Sequence, residues 1–238
     1  MEVISICNQK GGCAKTTTAM NLGATLAREG KRTLLVDLDP QATLTRSLGI
    51  RQSWNLYADG LQGVETSIPG LDLVPGGPAL VSHEMDLTRA ERFNVLRPLV
   101  SEVRGYDYLL IDCPPNLYGS TTNAIVAAER LLIPAPLDVP VLQSLTDTVR
   151  LIDSLRKKKL PVPEWVAGVI TIYHKTAMEP QLLRLAERVF PSLLETRIRR
   201  STVYTRAGLK QSAAVVIGTK GSAPVLDHRA LAMEMKLL

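Results

Sequence analysis

Aromatic residues are scarce: two Phe, two Trp and six Tyr make up 4% of the 238 residues. A core must therefore be filled by Leu, Val, Ile and Ala, and hydrophobic residues at 45% are sufficient for a large one. Such a composition suits strands buried on both faces. Cysteine is scarcer still. Cys7, Cys13 and Cys113 are widely spaced and none forms a C-x-x-C pair, which argues against a zinc or iron–sulfur site within one chain. They read as the reduced thiols of a cytosolic protein. No apolar run approaches the roughly 18–20 residues that span a bilayer. The first one, Val3 to Cys7, is too short for a signal peptide and leads straight into a glycine loop. There is no internal repeat, no low-complexity tract and no linker long enough to divide the chain, so residues 1–238 are expected to form one domain.

What is present is an alternation of short apolar runs with helical spacing. Strands are expected at 3–7, 33–38, 71–75, 106–113, 130–136 and 166–173, and helices at 16–28, 92–103, 141–158, 180–190 and 223–238. Gly30 is placed to end the first helix. This order predicts an α/β fold, a doubly wound, mostly parallel sheet flanked by helices. Ligands then sit at the carboxyl ends of the strands. Arg51 to Gly70 is the least regular stretch and reads as a mobile loop.

The first strand is followed by Asn8-Gln9-Lys10-Gly11-Gly12-Cys13-Ala14-Lys15-Thr16-Thr17 and then a helix. That is the setting of a phosphate-binding P-loop. Small residues let backbone N–H groups approach phosphate oxygens, and the helix adds its positive end. Lys15 is placed to reach the β- and γ-phosphates of ATP, and the Thr16 hydroxyl to ligate Mg²⁺. Ala14 stands where G-x-x-x-x-G-K-[ST] has its second glycine, and an alanine there is expected to need a negative φ.

A second lysine, Lys10, precedes Lys15 by five positions. The run K-G-G-x-[GA]-K-T-T resembles the deviant Walker A motif of the ParA/MinD/Soj ATPases, and the preceding Asn-Gln resembles the ParA branch. In that family the early lysine reaches across a nucleotide-sandwich homodimer to the partner's phosphates. The resemblance therefore implies that Lys10 acts in trans, as an arginine finger would. Lys10, Lys15 and Asp39 are the expected catalytic residues, and Lys10 through Thr17 the nucleotide-binding ones.

Two further segments carry carboxylates at strand ends. Asp37 and Asp39 lie in Asp37-Leu38-Asp39-Pro40-Gln41, which resembles the family's switch I. Asp39 is the candidate for orienting the attacking water and for touching the Mg²⁺ shell. Asp37 reads equally as a structural acceptor for its own loop. Asp112 ends Leu109-Leu110-Ile111-Asp112, a Walker B arrangement that holds Mg²⁺ through water. Thr16, Asp39 and Asp112 are thus the metal candidates. Asp112, Pro114 and Pro115 resemble the family's switch II, and the stretch Asn116 to Asn123 continues the likeness to partition ATPases.

The net charge is +5, yet residues 196–226 hold six cations and no acid, leaving the remainder at −1. Arg197, Arg199, Arg200, Arg206, Lys210 and Lys220, interleaved with Ser201, Thr202, Tyr204 and Thr205, suit contacts to a phosphate backbone without base reading. A solvated face or salt bridges to distant acids is the alternative. Ile198 to Thr202 also resembles the family's segment beside the adenine, so Arg199 and Arg200 are left open between base pocket and DNA. The cations at 156–159 read as a helix cap.

The resemblance implies a cytoplasmic, nucleoid-associated partition ATPase. Its ATP-bound homodimer would coat non-specific double-stranded DNA, and a ParB-like adaptor would trigger hydrolysis and release. The sequence begins at the first strand, so the N-terminal helix-turn-helix extension of some plasmid relatives is not expected. Two other readings use the same ATPase residues. One is a MinD-like membrane ATPase, which needs a basic amphipathic tail. Residues 228–238 carry Arg229 and Lys236 but also Glu234, so they read as a last packed helix without stable membrane association. The other is an ATPase positioning a non-DNA cargo, such as a chemoreceptor array or a protein microcompartment.

Overall fold

The computed structural model describes residues 1–82, 92–117, 119–190 and 192–238, without the side chains of Gln143 and Ser144. Eight strands form one sheet: β1 (Glu2–Ile6), β2 (Thr33–Asp37), β3 (Val64–Glu65), β4 (Leu71–Val74), β5 (Tyr108–Asp112), β6 (Arg130–Ala135), β7 (Trp165–Tyr173) and β8 (Leu193–Arg199). Their order is β3-β4-β2-β5-β1-β6-β7-β8. Only the β3–β4 pair is antiparallel; the others run parallel.

Successive residues of the central strands feed opposite cores. Leu109 and Ile111 of β5 face one apolar cluster and Leu110 the other; Leu34, Leu35 and Val36 of β2 alternate in the same way. Both faces are thus buried, which explains why these strands read as continuous apolar runs. Helices α4 (Leu96–Glu102), α5 (Gly119–Ala127), α6 (Val139–Lys157) and α7 (Glu179–Val189) contribute to one core. Helices α1 (Lys15–Arg28) and α10 (Ala223–Glu234) contribute to the other.

Helix α1 presses closely on the sheet. A β-carbon on Gly23 would stand 2.8 Å from Leu35 Cδ2 and 3.2 Å from Leu71 Cδ1. The glycine costs about 1 kcal/mol of helix propensity and lets the helix lie directly on β2 and β4. The Asp138 side chain caps α6 by accepting from Val141 N–H, with a proline in the first turn. Its last turn carries cations: Arg156 pairs with Asp153 at 3.0 Å, and Lys158 lies over the Phe93 ring.

Several elements differ from the sequence reading. Residues 51–70 are not a featureless loop: they include α3 (Leu56–Asp59) and β3, with Leu56 and Ile68 buried. Their few apolar residues are spaced too irregularly to announce either element. The short α2 (Thr43–Ser47), α8 (Thr202–Leu209), α9 (Ala214–Ile217) and the strand β8 were also unanticipated. β8 is an edge strand with only Ile198 fully buried, so it lacks the apolar run by which a central strand is recognised. The last helix ends at Glu234 rather than Leu238. Glu234 accepts from Glu195 N–H and Thr196 N–H, tying the tail to β8.

Candidate nucleotide site

The carboxyl ends of β1, β2 and β5 converge. Ile6 and Asp37 are both in register with Asp112. The loop after β1 rises from this line and runs into α1. Asn8 anchors it twice: its amide donates to Pro134 O at 2.8 Å, and its Oδ1 accepts from Lys10 N–H at 3.0 Å. Thr171 on β7 donates its hydroxyl to Cys13 O at 3.0 Å. The loop is therefore held from β6 and β7.

Lys15 is 7% exposed, and its Nζ donates to Lys10 O at 3.1 Å. A buried ammonium resting on one neutral carbonyl has unused donors, which suits it to polyanionic oxygens. Gly12 takes φ +76°, as glycines in anion-binding turns do. Ala14 takes φ +63° and ψ +28°, which corrects the expectation of a negative angle. The loop must reverse sharply into the helix, and Ala14 O accepts the first helical bond from Thr18 N–H at 2.8 Å. An L-residue tolerates that conformation at a cost of about 1–2 kcal/mol.

Asp112 is wholly buried, and neither carboxylate oxygen accepts a well-formed hydrogen bond among the described residues, the Thr16 hydroxyl alone lying close to them. Burial, with the Asp37 charge beside it, pushes its pKa well above the usual carboxylate range, against the pull of the Thr16 hydroxyl and Lys15. Two orphaned carboxylate oxygens facing a threonine hydroxyl fit a hydrated divalent cation, whose charge would reverse that shift. Thr16, Asp112 and the half-buried Asp39 are the residues that would surround it.

Asp37 is resolved as a structural acceptor. Its Oδ2 takes Thr45 N–H at 2.9 Å and the Thr45 hydroxyl at 2.7 Å, and its Oδ1 takes Asp39 N–H at 3.0 Å. Burial raises its pKa to about 6, against those hydrogen bonds. Gly76 N–H donates in turn to the Thr45 hydroxyl at 2.9 Å. A β-carbon on Gly76 would lie 2.6 Å from Asp37 O, so only glycine permits this approach. Asp39 then accepts from Gln41 N–H at 2.8 Å. Sequence reasoning missed Thr45, Gly76 and Thr171: an isolated threonine in a helix or strand carries no signal of its partner.

Two adjoining cavities share Gly12, Ala14 and Thr17. The first, ≈ 240 Å³, is bounded by the loop, Asp39, Thr43, Cys113 and Pro115. It gathers every expected phosphate and metal residue except Lys10 and Asp112, which lies beneath it. The second, ≈ 320 Å³, has apolar walls from Ile172, Ile198 and Tyr204, with Arg200 and Ser201 at its rim. Ile172 sits at φ +52°, where the β7–β8 register is broken. A β-branched residue there is strained by about 1–3 kcal/mol, and its half-exposed side chain walls the cavity. A polyphosphate cavity joined to an apolar one of planar-base size can take a nucleoside triphosphate.

The thiols of Cys7, Cys13 and Cys113 are buried around the loop. Burial pushes Cys7 up to about 12 and raises the other two, so all three remain neutral packing groups.

The basic segment divides. Arg199 is clamped by Asp227, with Nη2 to Oδ1 at 2.6 Å and Nε to Oδ1 at 2.9 Å. Arg197 pairs with Glu179 at 2.8 Å and lies over the Tyr173 ring. Salt bridges to distant acids thus account for these two. Arg200, Arg206, Lys210 and Lys220 are exposed and form no ion pair among the described residues.

Comparison with known proteins agrees with this geometry. A family model described as an AAA domain matches residues 1–162. The chromosome partitioning protein ParA of Caulobacter vibrioides is 35% identical over 222 residues, covering 84% of this chain and 83% of that protein. The chromosome-partitioning ATPase Soj of Thermus thermophilus is 35% identical over 206 residues, covering 82% of each. A solved structure of cobyrinic acid a,c-diamide synthase from Mycobacterium smegmatis, with bound ADP and magnesium, is similar at TM-score 0.81 and 28% identity. It covers 98% of this chain and 92% of that one. By its loop, its sheet and these relatives, the chain belongs to the ParA/Soj family of P-loop ATPases.

Proposed function

We propose that residues 1–238 act as one DNA-partition ATPase domain, in which MgATP assembles a homodimer that binds non-specific double-stranded DNA. Hydrolysis, stimulated by a ParB-like adaptor, releases it. The protein would work in the cytoplasm on the nucleoid. The observation that supports DNA contact is the exposed set Arg200, Arg206, Lys210 and Lys220, without ion pairs among the described residues; the one that supports the homodimer is Lys10. It is exposed at the lip of the phosphate cavity, and its ammonium makes no hydrogen bond or ion pair among the described residues. A cation so placed is available to a second copy's phosphates.

The residues divide the work. Lys15 leaves the Lys10 carbonyl for the β- and γ-phosphate oxygens. Thr16, with Asp112 behind it, would hold Mg²⁺, which would supply neutralisation of developing phosphate charge. Asp39, positioned through the Asp37–Thr45–Gly76 hydrogen bonds, orients the attacking water. The apolar walls at Ile172, Ile198 and Tyr204 receive the adenine. Arg199, committed to Asp227, holds the edge of that cavity, and Arg200, Arg206, Lys210 and Lys220 meet DNA phosphates.

The test is binding to a random-sequence duplex with ATP, ADP or no nucleotide across a salt series. Binding that needs ATP and weakens steeply with salt is expected, because each phosphate contact releases counterions. Absence of DNA binding in every state, with sedimentation on anionic liposomes instead, would replace this reading by the membrane ATPase.

A further inference from the structure

A third cavity, ≈ 440 Å³, opens beside the nucleotide site, between the end of α2 and the turn after α8. Arg46, Arg51, Gln52 and Ser53 line one side and Gln211 the other, with Gly76 at its base. Among the described residues no carboxylate lines it. Arg46 and Arg51 are exposed, and neither forms an ion pair among the described residues. Among the described residues the Arg46 guanidinium donates to the Gln41 carbonyl.

In sequence these arginines lie far from the basic segment. In the fold they meet it. Gly49 is packed on Gln211, so closely that a β-carbon there would stand 3.2 Å from Gln211 Oε1. Gln211 directly follows Lys210, and Lys210 is four positions after Arg206, on the same side of α8 and its last turn. Arg51 and Gln211 thus line one opening, and Lys210 adjoins Gln211 in the chain. The cation surface is wider than residues 196–226, and it includes a concave part furnished with two guanidinium forks, two amides and a hydroxyl.

We propose that this cleft is a further phosphate-backbone subsite for DNA, seating one strand's phosphodiesters between Arg51 and Gln211–Lys210. This rests on the DNA-binding reading above. Planar guanidinium donors pair two-pronged with phosphate oxygens. Neutral amide and hydroxyl donors position the backbone without reading bases.

The experiment uses full-length protein with MgATP and a random duplex, and compares wild type with Arg51→Gln, Arg51→Lys and the α8 variant Lys210→Gln. Nucleotide affinity and thermal unfolding check that each variant is intact. Arg51→Gln is expected to weaken binding equally on unrelated sequences and to reduce the salt slope by about 1. Arg51→Lys should keep most of the slope. If Lys210→Gln lowers the slope but Arg51→Gln does not, the cleft proposal fails while the DNA reading stands. If wild type binds no DNA in any nucleotide state, both fail. If Arg51→Gln spares DNA binding and abolishes only adaptor stimulation, the cleft belongs to a protein partner and the proposal is overturned. Replacing chloride by inorganic phosphate at equal ionic strength separates a free-phosphate site: wild-type affinity should hold within about twofold. Inorganic phosphate bound by wild type and lost in Arg51→Gln, with DNA affinity unchanged by that substitution, would make this a free-phosphate site and overturn the proposal.

Discussion

Replacing Ala14 by glycine would restore the second glycine of the usual P-loop pattern, and the structure gives the sign of the effect. At φ +63° the methyl group of Ala14 is held in the left-handed region, which costs an L-residue about 1–2 kcal/mol and glycine nothing. Glycine's extra freedom in the unfolded chain opposes this by roughly 0.5–1 kcal/mol. Loss of a half-buried methyl adds about 0.4 kcal/mol, half of a fully buried methylene. Ala14→Gly is therefore expected to be neutral to about 1 kcal/mol more stable. Ala14→Val, which adds a branch at the same angle, should lose at least as much as wild type already bears, about 1–2 kcal/mol. Urea unfolding followed by far-UV circular dichroism measures both. The diagnostic is the order glycine, alanine, valine. A glycine variant more than about 1 kcal/mol less stable, or a valine variant equal to wild type, would show that position 14 does not hold this angle.

Lys15→Ala should abolish ATP binding; isothermal titration with undiminished affinity would remove the phosphate assignment. Asp39→Ala should bind ATP yet lose about 10²–10⁴-fold in turnover, the range of a lost general base, and accumulate as an ATP-bound dimer on sizing columns. Wild-type turnover would clear Asp39 of that role. His228 is wholly buried beside Tyr204 and Asp227, and burial lowers its pKa to about 4. The unfolded chain then binds the extra proton between pH 6.5 and 4. Stability should fall as pH drops through that window, by roughly 3 kcal/mol in all. Asp37, raised to about 6, works in the opposite direction, so the comparison must be with His228→Phe, whose pH dependence should lack this one-proton slope. Arg199→Glu would set a carboxylate against Asp227 and should lower the unfolding temperature. Arg200→Glu should not, and it is the cleaner test of DNA contact.

How much of this was legible depended on whether a residue's role is local. The P-loop is a contiguous run whose meaning comes from the strand before it and the helix after it, so Lys15 and Thr16 could be named without coordinates. Asp112 could be named because an apolar strand ending in a carboxylate is itself a pattern. Ala14 could be located but not its angle, because backbone sign follows from how the loop is pinned at Asn8 and Thr171, on β6 and β7. The basic segment shows the same division. Six cations without a local acid look free in one dimension, yet Asp227 and Glu179 come from α10 and α7 to claim Arg199 and Arg197. Conversely, Arg46 and Arg51 look unremarked in sequence and join the basic face only through the Gly49–Gln211 contact. Charge counted along a chain is thus a poor guide to charge on a surface. Which cations remain for a polyanion is settled by the sheet order that brings β8 beside α10, and by the turn that lays α8 against the end of α2.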